Sequence, residues 1–227
     1  MKKSTLIAGL AIVGCFAAFA AANLKLKQEY TKGNIQSAFT KSKLAPFRFI
    51  KVDFDSTSHF DGDFEITVRK SLQPGLSKYY EEEGKFVYTI LNDTLVIQND
   101  PLYKDHNIPM YTIKIDAPYL AGIDVTRGRY VINLADSDSL SIIAGRRSSV
   151  NLALNKINNL SITASDAYIS INAVEPIEKA MIQLFGESSL NADNIIIKQK
   201  KLVLSKAASL RLSGRSMEDF GVVNAQK

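Results

Sequence analysis

The second half of the chain repeats with a period of about 20 residues, which limits the folds open to it. In one series an apolar residue stands on each side of a central asparagine, at Ile132–Ala135, Val150–Ala153, Ile171–Val174 and Leu190–Asp193. The spacings between the asparagines are 18, 21 and 19, and Arg211 takes the same position after a further spacing of 20. A second series, starting at Leu140, Leu160, Ala180 and Leu202, has spacings of 20, 20 and 22. Two series with one period indicate stacked repeats.

A period of about 20 residues with two short strands per unit is typical of a solenoid. The leucine-rich repeat has a similar period but needs a longer leucine ladder, and these units are rich in Ile, Val and Ser. We therefore predict an all-β chain whose body is a β-solenoid, similar to a parallel β-helix, with rungs of about 20 residues.

Like residues in neighbouring rungs of such a solenoid would stack about 4.8 Å apart. The asparagine series therefore predicts a structural ladder of amide side chains, formed by Asn133, Asn151, Asn172 and Asn191. The alternative interpretation is that each asparagine tolerates a bend and points to solvent.

The first half of the body alternates apolar and polar residues with period two. Phe64-x-Ile66-x-Val68 and Tyr111-x-Ile113-x-Ile115 are clear examples, and turn-forming clusters such as Asn92-Asp93 separate these runs. Half-buried strands bounded by such turns indicate a sheet protein.

The N-terminal segment has the pattern of a targeting or anchoring sequence. Lys2 and Lys3 precede the run Leu6–Ala22, which contains no charged residue. A signal-peptide core has about 7–15 such residues and a spanning helix about 20, and this run falls between them. Three outcomes stay open: an uncleaved single-pass anchor, which we prefer, cleavage after Ala22, or lipid attachment at Cys15. All three predict that the body is exported from the cytoplasm: the anchor and the lipid would hold it in the cell envelope, and cleavage would leave it periplasmic or secreted.

These patterns divide the chain into four predicted parts. Residues 1–22 form the hydrophobic helix that serves as signal or anchor, and residues 23–46 are a polar, basic tether. Residues 47–213 form the β-solenoid domain, and residues 214–227 are a C-terminal tail.

Composition excludes several classes of function. The 28 Lys and Arg against 23 Asp and Glu give a net charge of +5, and this small excess is spread thinly, which excludes a nucleic-acid partner. One cysteine and two histidines exclude a disulfide framework and a Cys/His zinc site. Nucleotide-binding, nucleophile-elbow and HExxH motifs are absent from the sequence. We predict no cofactor.

The acidic stretch Asp53–Asp63 is the best candidate for a metal site, because carboxylates at alternate positions can converge on a hard cation. An EF-hand loop starting at Asp53 would need glycine and glutamate where Ser58 and Phe64 stand. We therefore interpret the stretch as a polar loop and predict no metal site.

A carbohydrate-active enzyme is the alternative to a binding protein. Aligned by the repeat, Asp166 and Glu187 fall one rung apart in a turn, near the separation that a retaining glycosidase uses. Arg146 and Arg147 could then neutralise an acidic substrate. The competing interpretation is a ladder of surface charges that adds little stability.

Basic residues also form a possible binding surface for an anionic glycan or phospholipid headgroups. They are Arg146 and Arg147 in one turn, and Lys198, Lys200 and Lys201 in the run Lys198–Lys201. A solvated loop explains the lysine run equally simply.

Several segments resemble one family of bacterial envelope proteins. Behind the hydrophobic N-terminus come Phe49–Val52, Phe64–Val68, Asp93–Ile97 and Tyr111–Leu120, and then the repeats. Over about residues 47–213 the chain resembles the family called "putative auto-transporter adhesin, head GIN domain". The resemblance implies a β-solenoid-like fold, an envelope location and no known enzymatic chemistry.

The basic stretch Leu24–Asn34 is similar to the tether of membrane-anchored members of that family. We therefore predict a non-catalytic, adhesin-like binding or scaffolding module outside the cytoplasm. Its partners would be the membrane, through the N-terminal segment, and an envelope glycan or another envelope protein. The alternative is a β-helix lyase or glycosidase that uses Asp166 and Glu187.

Overall fold

The chain divides into two compact units, Met1–Ala38 and Phe39–Lys227. The computed structural model describes residues 14–16, 18–25, 27–28, 39–53, 63–79, 86–100, 111–193, 195–214 and 216. The described residues of the first unit are helical, and Cys15 is exposed. Within the described parts of the chain, we find no helix of sufficient length and hydrophobicity to cross a membrane.

The second unit is mostly β, as the alternating apolar pattern predicts. Its strands, in chain order, are β1 Phe39–Lys43, β2 Phe49–Asp53, β3 Asp63–Lys70, β4 Gly75–Tyr79, β5 Phe86–Leu91, β6 Thr94–Asn99, β7 Tyr111–Ala117, β8 Gly122–Thr126, β9 Gly128–Leu134, β10 Ser137–Ala144, β11 Ser148–Leu154, β12 Ile157–Ser165, β13 Tyr168–Ala173, β14 Ile177–Phe185, β15 Ser189–Asp193, β16 Ile197–Leu204 and β17 Ser209–Ser213.

The strands form two mixed sheets. The nine-stranded sheet has the order β1-β4-β7-β3-β9-β11-β13-β15-β17, and the eight-stranded sheet has the order β16-β14-β12-β10-β8-β2-β6-β5. The pairs β1–β4, β4–β7 and β5–β6 are antiparallel. From β8 onward, successive strands alternate between the two sheets and pair in parallel within each sheet.

The sequence period is the offset in residue number between hydrogen-bonded strands. In the nine-stranded sheet this offset is 20 from β9 to β11, 19 from β11 to β13 and 21 from β13 to β15. In the eight-stranded sheet it is 20 from β10 to β12, from β12 to β14 and from β14 to β16. Equivalent positions in successive repeats therefore lie side by side.

The inward faces of both sheets contribute to one hydrophobic core. The eight-stranded sheet supplies an in-register column of six side chains that are each at most 2% exposed: Leu95, Ile50, Ile123, Ile142, Ile162 and Ile182. Full burial of one such side chain stabilises the fold by about 1.5–3 kcal/mol. β-Branched isoleucine also suits a stacked strand because its preferred rotamers fit the pleated surface.

An aromatic stack forms the matching column in the nine-stranded sheet. Phe64 lies between Tyr111 and Tyr130, with ring centroids 4.9 and 5.4 Å away and nearly parallel ring planes. The Tyr130 hydroxyl donates a hydrogen bond to the Thr126 carbonyl over 2.9 Å, so this buried phenol has a polar partner. Burial raises the pKa of Tyr130, with smaller contributions from Asp53 and Asp124.

The predicted turn at Asn92-Asp93 connects β5 to β6 as a two-residue hairpin. Both residues have positive φ, 46° and 66°. A hairpin of this type needs two residues that tolerate the left-handed region, and Asn and Asp do so better than most.

The predicted tether, residues 23–46, contains regular structure at both ends. Residues 23–25 and 27–28 are helical, and β1 pairs with β4, for example Lys41 with Ser77. β1 therefore lies within the residues predicted as a tether and belongs to the nine-stranded sheet. A strand of five residues shows little periodic pattern of its own, and the strand that supplies its hydrogen bonds, β4, is distant in sequence.

Candidate functional site

The predicted asparagine ladder does not form. Asn133 pairs with Ala153 and Asn151 with Val131, so these two amides are in different columns. Asn172 lies in the column of Asn133, with Ala153 between them, and Asn191 lies in the column of Asn151, with Ser170 between them. The asparagine spacings of 18, 21 and 19 each differ by two from the strand offsets of 20, 19 and 21. Neighbouring asparagines therefore share a face of the sheet but not a column.

The turn residues of the enzyme hypothesis do come together. Asp166 Oδ1 accepts a hydrogen bond from the Glu187 backbone N–H over 3.1 Å, and Asp166 Oδ2 lies 3.8 Å from Arg146 Nε. The Arg147 backbone N–H donates to the Asp166 carbonyl over 2.9 Å. Asp166 has positive φ, 51°, which suits a turn. Its carboxylate therefore ties adjacent turns together, a structural role that argues against its use as an acid or nucleophile.

Gly186 allows this arrangement, and its replacement tests it. Its φ is +60°, and a Cβ added there would overlap Asp166 Oδ1. We expect Gly186→Ala to lower the free energy of unfolding by about 2–3 kcal/mol, through backbone strain and displacement of the Asp166 carboxylate. In an Asp166→Ala background the same change should lose only about 1 kcal/mol, the strain alone. Urea unfolding of the four proteins measures both effects, and equal losses in the two backgrounds would contradict the contact.

The predicted basic surface is split between two places. Arg146 and Arg147 lie in the turn after β10, whereas Lys198, Lys200 and Lys201 lie on β16, at one edge of the eight-stranded sheet. Lys198 Nζ forms an ion pair with Glu178 Oε1 on the adjacent strand over 2.6 Å. Lysines on an edge strand oppose pairing with a further strand, which gives the run a structural use.

A groove opens where β3, β9 and β11 end, beside the connections that lead from β7 and β9 to the eight-stranded sheet. It begins as a depression of about 100 Å³ and continues into a shallower one of about 360 Å³ that shares Val68, Arg69, Leu134 and Ala135. The other residues that line the smaller part are Lys70, Ala117, Pro118, Tyr119, Leu120, Asp136, Ser137, Asp138, Leu140, Lys156 and Asn158.

Polar side chains of successive repeats are paired along this groove. Asn155 Nδ2 donates to Asp136 Oδ1 over 2.5 Å, and Asn158 Nδ2 donates to Asp138 Oδ1 over 3.2 Å. Each pair joins side chains one repeat apart, so the stacking of repeats builds a double row of carboxylate and amide groups. Tyr119 adds an aromatic ring that is 42% exposed. These groups can bind hydroxyls and stack on an apolar ring face.

One wall of the groove is fixed by a buried carboxylate. Asp116 is only 4% exposed, although its side chain is on the outer side of β7. Its Oδ1 accepts from Arg69 Nε and Nη2 over 2.9 and 2.8 Å, and its Oδ2 lies 3.1 Å from Lys41 Nζ. The guanidinium is thus held in place at the groove, with the charge of Asp116 compensated from both sides.

Our sequence predictions did not assign Asp136, Asp138, Asn155 or Asn158 to any site, and they named Asn133, which lines the larger part of the groove, only as a ladder residue. A signal was present: Asp136 and Asp138 are followed, one period later, by Asn155 and Asn158. Reading the repeat as pairs of acid and amide, and not as identical residues, would have identified this row.

The candidate metal stretch lies outside the described residues at positions 54–62. Among the residues that the structure does describe, no group of three or more His, Cys, Asp or Glu side chains could hold a metal ion.

Comparison of structures, and not of sequences, finds known proteins that are similar to this chain. No sequence model of a known protein family matches the chain, and no curated protein sequence matches it. A structure from Bacteroides fragilis, described as a putative adhesin, is 17% identical, with a TM-score of 0.42 over 77% of this chain and 95% of its own. A putative lipid binding protein from Parabacteroides distasonis is 15% identical, with a TM-score of 0.36 over 79% and 96%. A putative cell adhesion protein from Clostridium sporogenes is 9% identical, with a TM-score of 0.36 over 77% and 98%.

Proposed function

We propose that this chain is a non-catalytic, adhesin-like binding protein of the cell envelope, with a β-solenoid body of the head GIN domain type. The regular strand offset and the alternation of β8–β17 between two sheets support the solenoid. The quoted segments from Phe49 to Leu120 support the family. The engagement of Asp166 in a turn supports binding over hydrolysis, because a glycosidase needs two available carboxyl groups.

The body is exported and held at a membrane by the N-terminal segment. The support is the uncharged run Leu6–Ala22 behind Lys2 and Lys3. The intact mass of the protein extracted from membranes tests this part. The full-length mass agrees with an uncleaved anchor; loss of residues 1–22, or of residues 1–14 with added lipid on Cys15, would reject it.

The groove beside β3, β9 and β11 is the binding site, and its ligand is an oligosaccharide. The single observation that supports this most is the double row of carboxylate and amide groups from successive repeats beside the exposed ring of Tyr119. Sugar hydroxyls both donate and accept hydrogen bonds, and such rows offer both. The apolar floor of Leu134 and Val68 suits the apolar face of a sugar ring.

Binding of the full-length protein to a panel of immobilised oligosaccharides tests the ligand class. We expect Asn158→Ala and Tyr119→Ala each to weaken binding of the best oligosaccharide at least about tenfold, since each removes one contact of about 1.4 kcal/mol or more. Asn151→Ala is the matched control, because it removes an exposed amide on the outer face of the nine-stranded sheet. An equal loss in this control, or no binding to any oligosaccharide, would reject the groove as a glycan site.

A further inference from the structure

Exposed apolar side chains are concentrated on one face of the second unit. Among its described residues, ten large hydrophobic side chains are exposed, and six of them are on the outer face of the eight-stranded sheet. These six are Phe49, Val87, Leu91, Ile143, Met181 and Phe185. The outer face of the nine-stranded sheet has one of the ten, Tyr168. Ile143, Met181 and Phe185 lie on the two strands that flank β12, whereas the other three lie on β2 and β5. A contiguous exposed apolar patch marks an interaction site, and the first three form the candidate patch.

The charged residues of β14, β12 and β10 are Asp138, Glu178 and Lys179, all near the strand starts, so the middle of this face carries no charge. Met181 is level with Ser161 and Ser141, and Gln183 is level with Thr163 and Ile143. In the next row Phe185 is level with Ser165. Gly145 comes directly after Ala144, which pairs with Ala164, so it reaches the same level on the β10 side. The centres of protein interfaces are depleted of charge and enriched in aromatic residues and methionine, as this region is.

We propose that this face binds a second copy of the chain, with the two-fold axis along β12. An axis parallel to the strands places β12 against β12 and β14 of one copy against β10 of the other. Met181 then faces the small Ser141, and Phe185 faces Gly145, so large side chains meet small ones. Packed sheets interdigitate in this way when their faces are complementary.

The charges at the two ends of the patch support the same axis. β16 and β8 flank the patch, and the axis brings β16 of one copy against β8 of the other. Lys201 on β16 then lies one row from Asp124 of the second copy. Asp124 is half-buried within its own chain; burial raises its pKa, Lys51 opposes this and Asp53 adds to it. A lysine from the second copy would favour the charged carboxylate.

Cysteine cross-linking of the full-length protein tests the axis directly. Cys15 is the only cysteine, so a Cys15→Ala background leaves one introduced thiol. Thr163→Cys on β12 should give a disulfide-linked dimer on mild oxidation, because the axis places this residue beside its own copy. Ser170→Cys, a position on the outer face of the nine-stranded sheet that is half-buried like Thr163, should stay monomeric. A monomeric Thr163→Cys protein, or equal cross-linking of Ser170→Cys, would overturn the proposal.

Sedimentation of charge variants separates this contact from membrane binding or from association through the N-terminal segment. Lys201→Asp and Asp124→Lys should each reduce the dimer at least about tenfold, and an equimolar mixture should recover it as a mixed dimer. Met181→Asp should abolish the dimer, whereas Tyr168→Asp on the other sheet should leave it intact. If the mixture stays monomeric, or if Tyr168→Asp is equally disruptive, the pairing is wrong. Variants of the groove should not change the mass measured by sedimentation. A failed dimer test would therefore not count against the proposed glycan site.

Discussion

Phe64→Ala is expected to lower the free energy of unfolding by about 3–5 kcal/mol, one of the two largest effects we expect from a single substitution in the chain. Phe64 is 1% exposed and contacts an aromatic ring on each side, Tyr111 and Tyr130. Alanine removes the transfer free energy of the ring, leaves a cavity and ends both stacking contacts. Thermal unfolding followed by circular dichroism should show a midpoint lower by roughly 10 °C.

Two variants separate the aromatic stack from simple loss of volume. Phe64→Leu keeps most of the volume and should lose less than about 1.5 kcal/mol. Tyr168→Ala removes a ring that is 46% exposed and should change stability by less than about 0.5 kcal/mol. The stack would lose its assigned role if Phe64→Ala were no more destabilising than Tyr168→Ala.

Arg69→Met is expected to lower the free energy of unfolding by about 2–3 kcal/mol. The change leaves Asp116 buried with Lys41 as its remaining ion-pair partner among the contacts described above. Removing one partner of a buried charge is more harmful than removing both, because the remaining charge has lost its compensation. Urea unfolding at neutral pH measures the loss.

Companion variants test whether the charge of Asp116 is the cause. Lys41→Met should lose clearly less than Arg69→Met, because the single ammonium contact is replaced more easily by water than the two guanidinium contacts to Oδ1. Asp116→Asn combined with Arg69→Met should be more stable than Arg69→Met alone. If the double variant were less stable, packing and not charge would explain the effect.

The repeat period, the β class and much of the core could be predicted from sequence because each depends on local pattern. Alternation identified the strands, and the series at Leu140 and Leu160 is in register in the structure. The exact columns could not be predicted. Leu202 pairs with Ile182 and not with Ala180, and the asparagines are displaced by two positions. A shift of two positions keeps every side chain on the same face, so hydrophobic pattern alone does not distinguish the two alignments.

The groove and the Asp116 cluster depend on contacts that sequence does not reveal. Arg69 and Asp116 are far apart in the chain, and Lys41 belongs to a strand that pairs in antiparallel fashion at the edge of the sheet. Strand order in this half of the unit is not sequential, since β3 lies between β7 and β9. Only the assembled sheet brings these charges together, and with them the wall of the groove.

The interleaved strand order also has a consequence for the sequence of events in folding. The strand pairs from β8 to β17 each close a loop of about one repeat. In contrast, β2 pairs with β8 and β3 with β9 across more than three repeat lengths. Loop-closure entropy favours the short loops, and low contact order speeds folding. The C-terminal repeats would therefore fold first and provide β8 and β9 as a template on which β2 and β3 are added. Because the chain is synthesised from its N-terminus, β2 and β3 must wait for β8 and β9 to be made before these pairs can form.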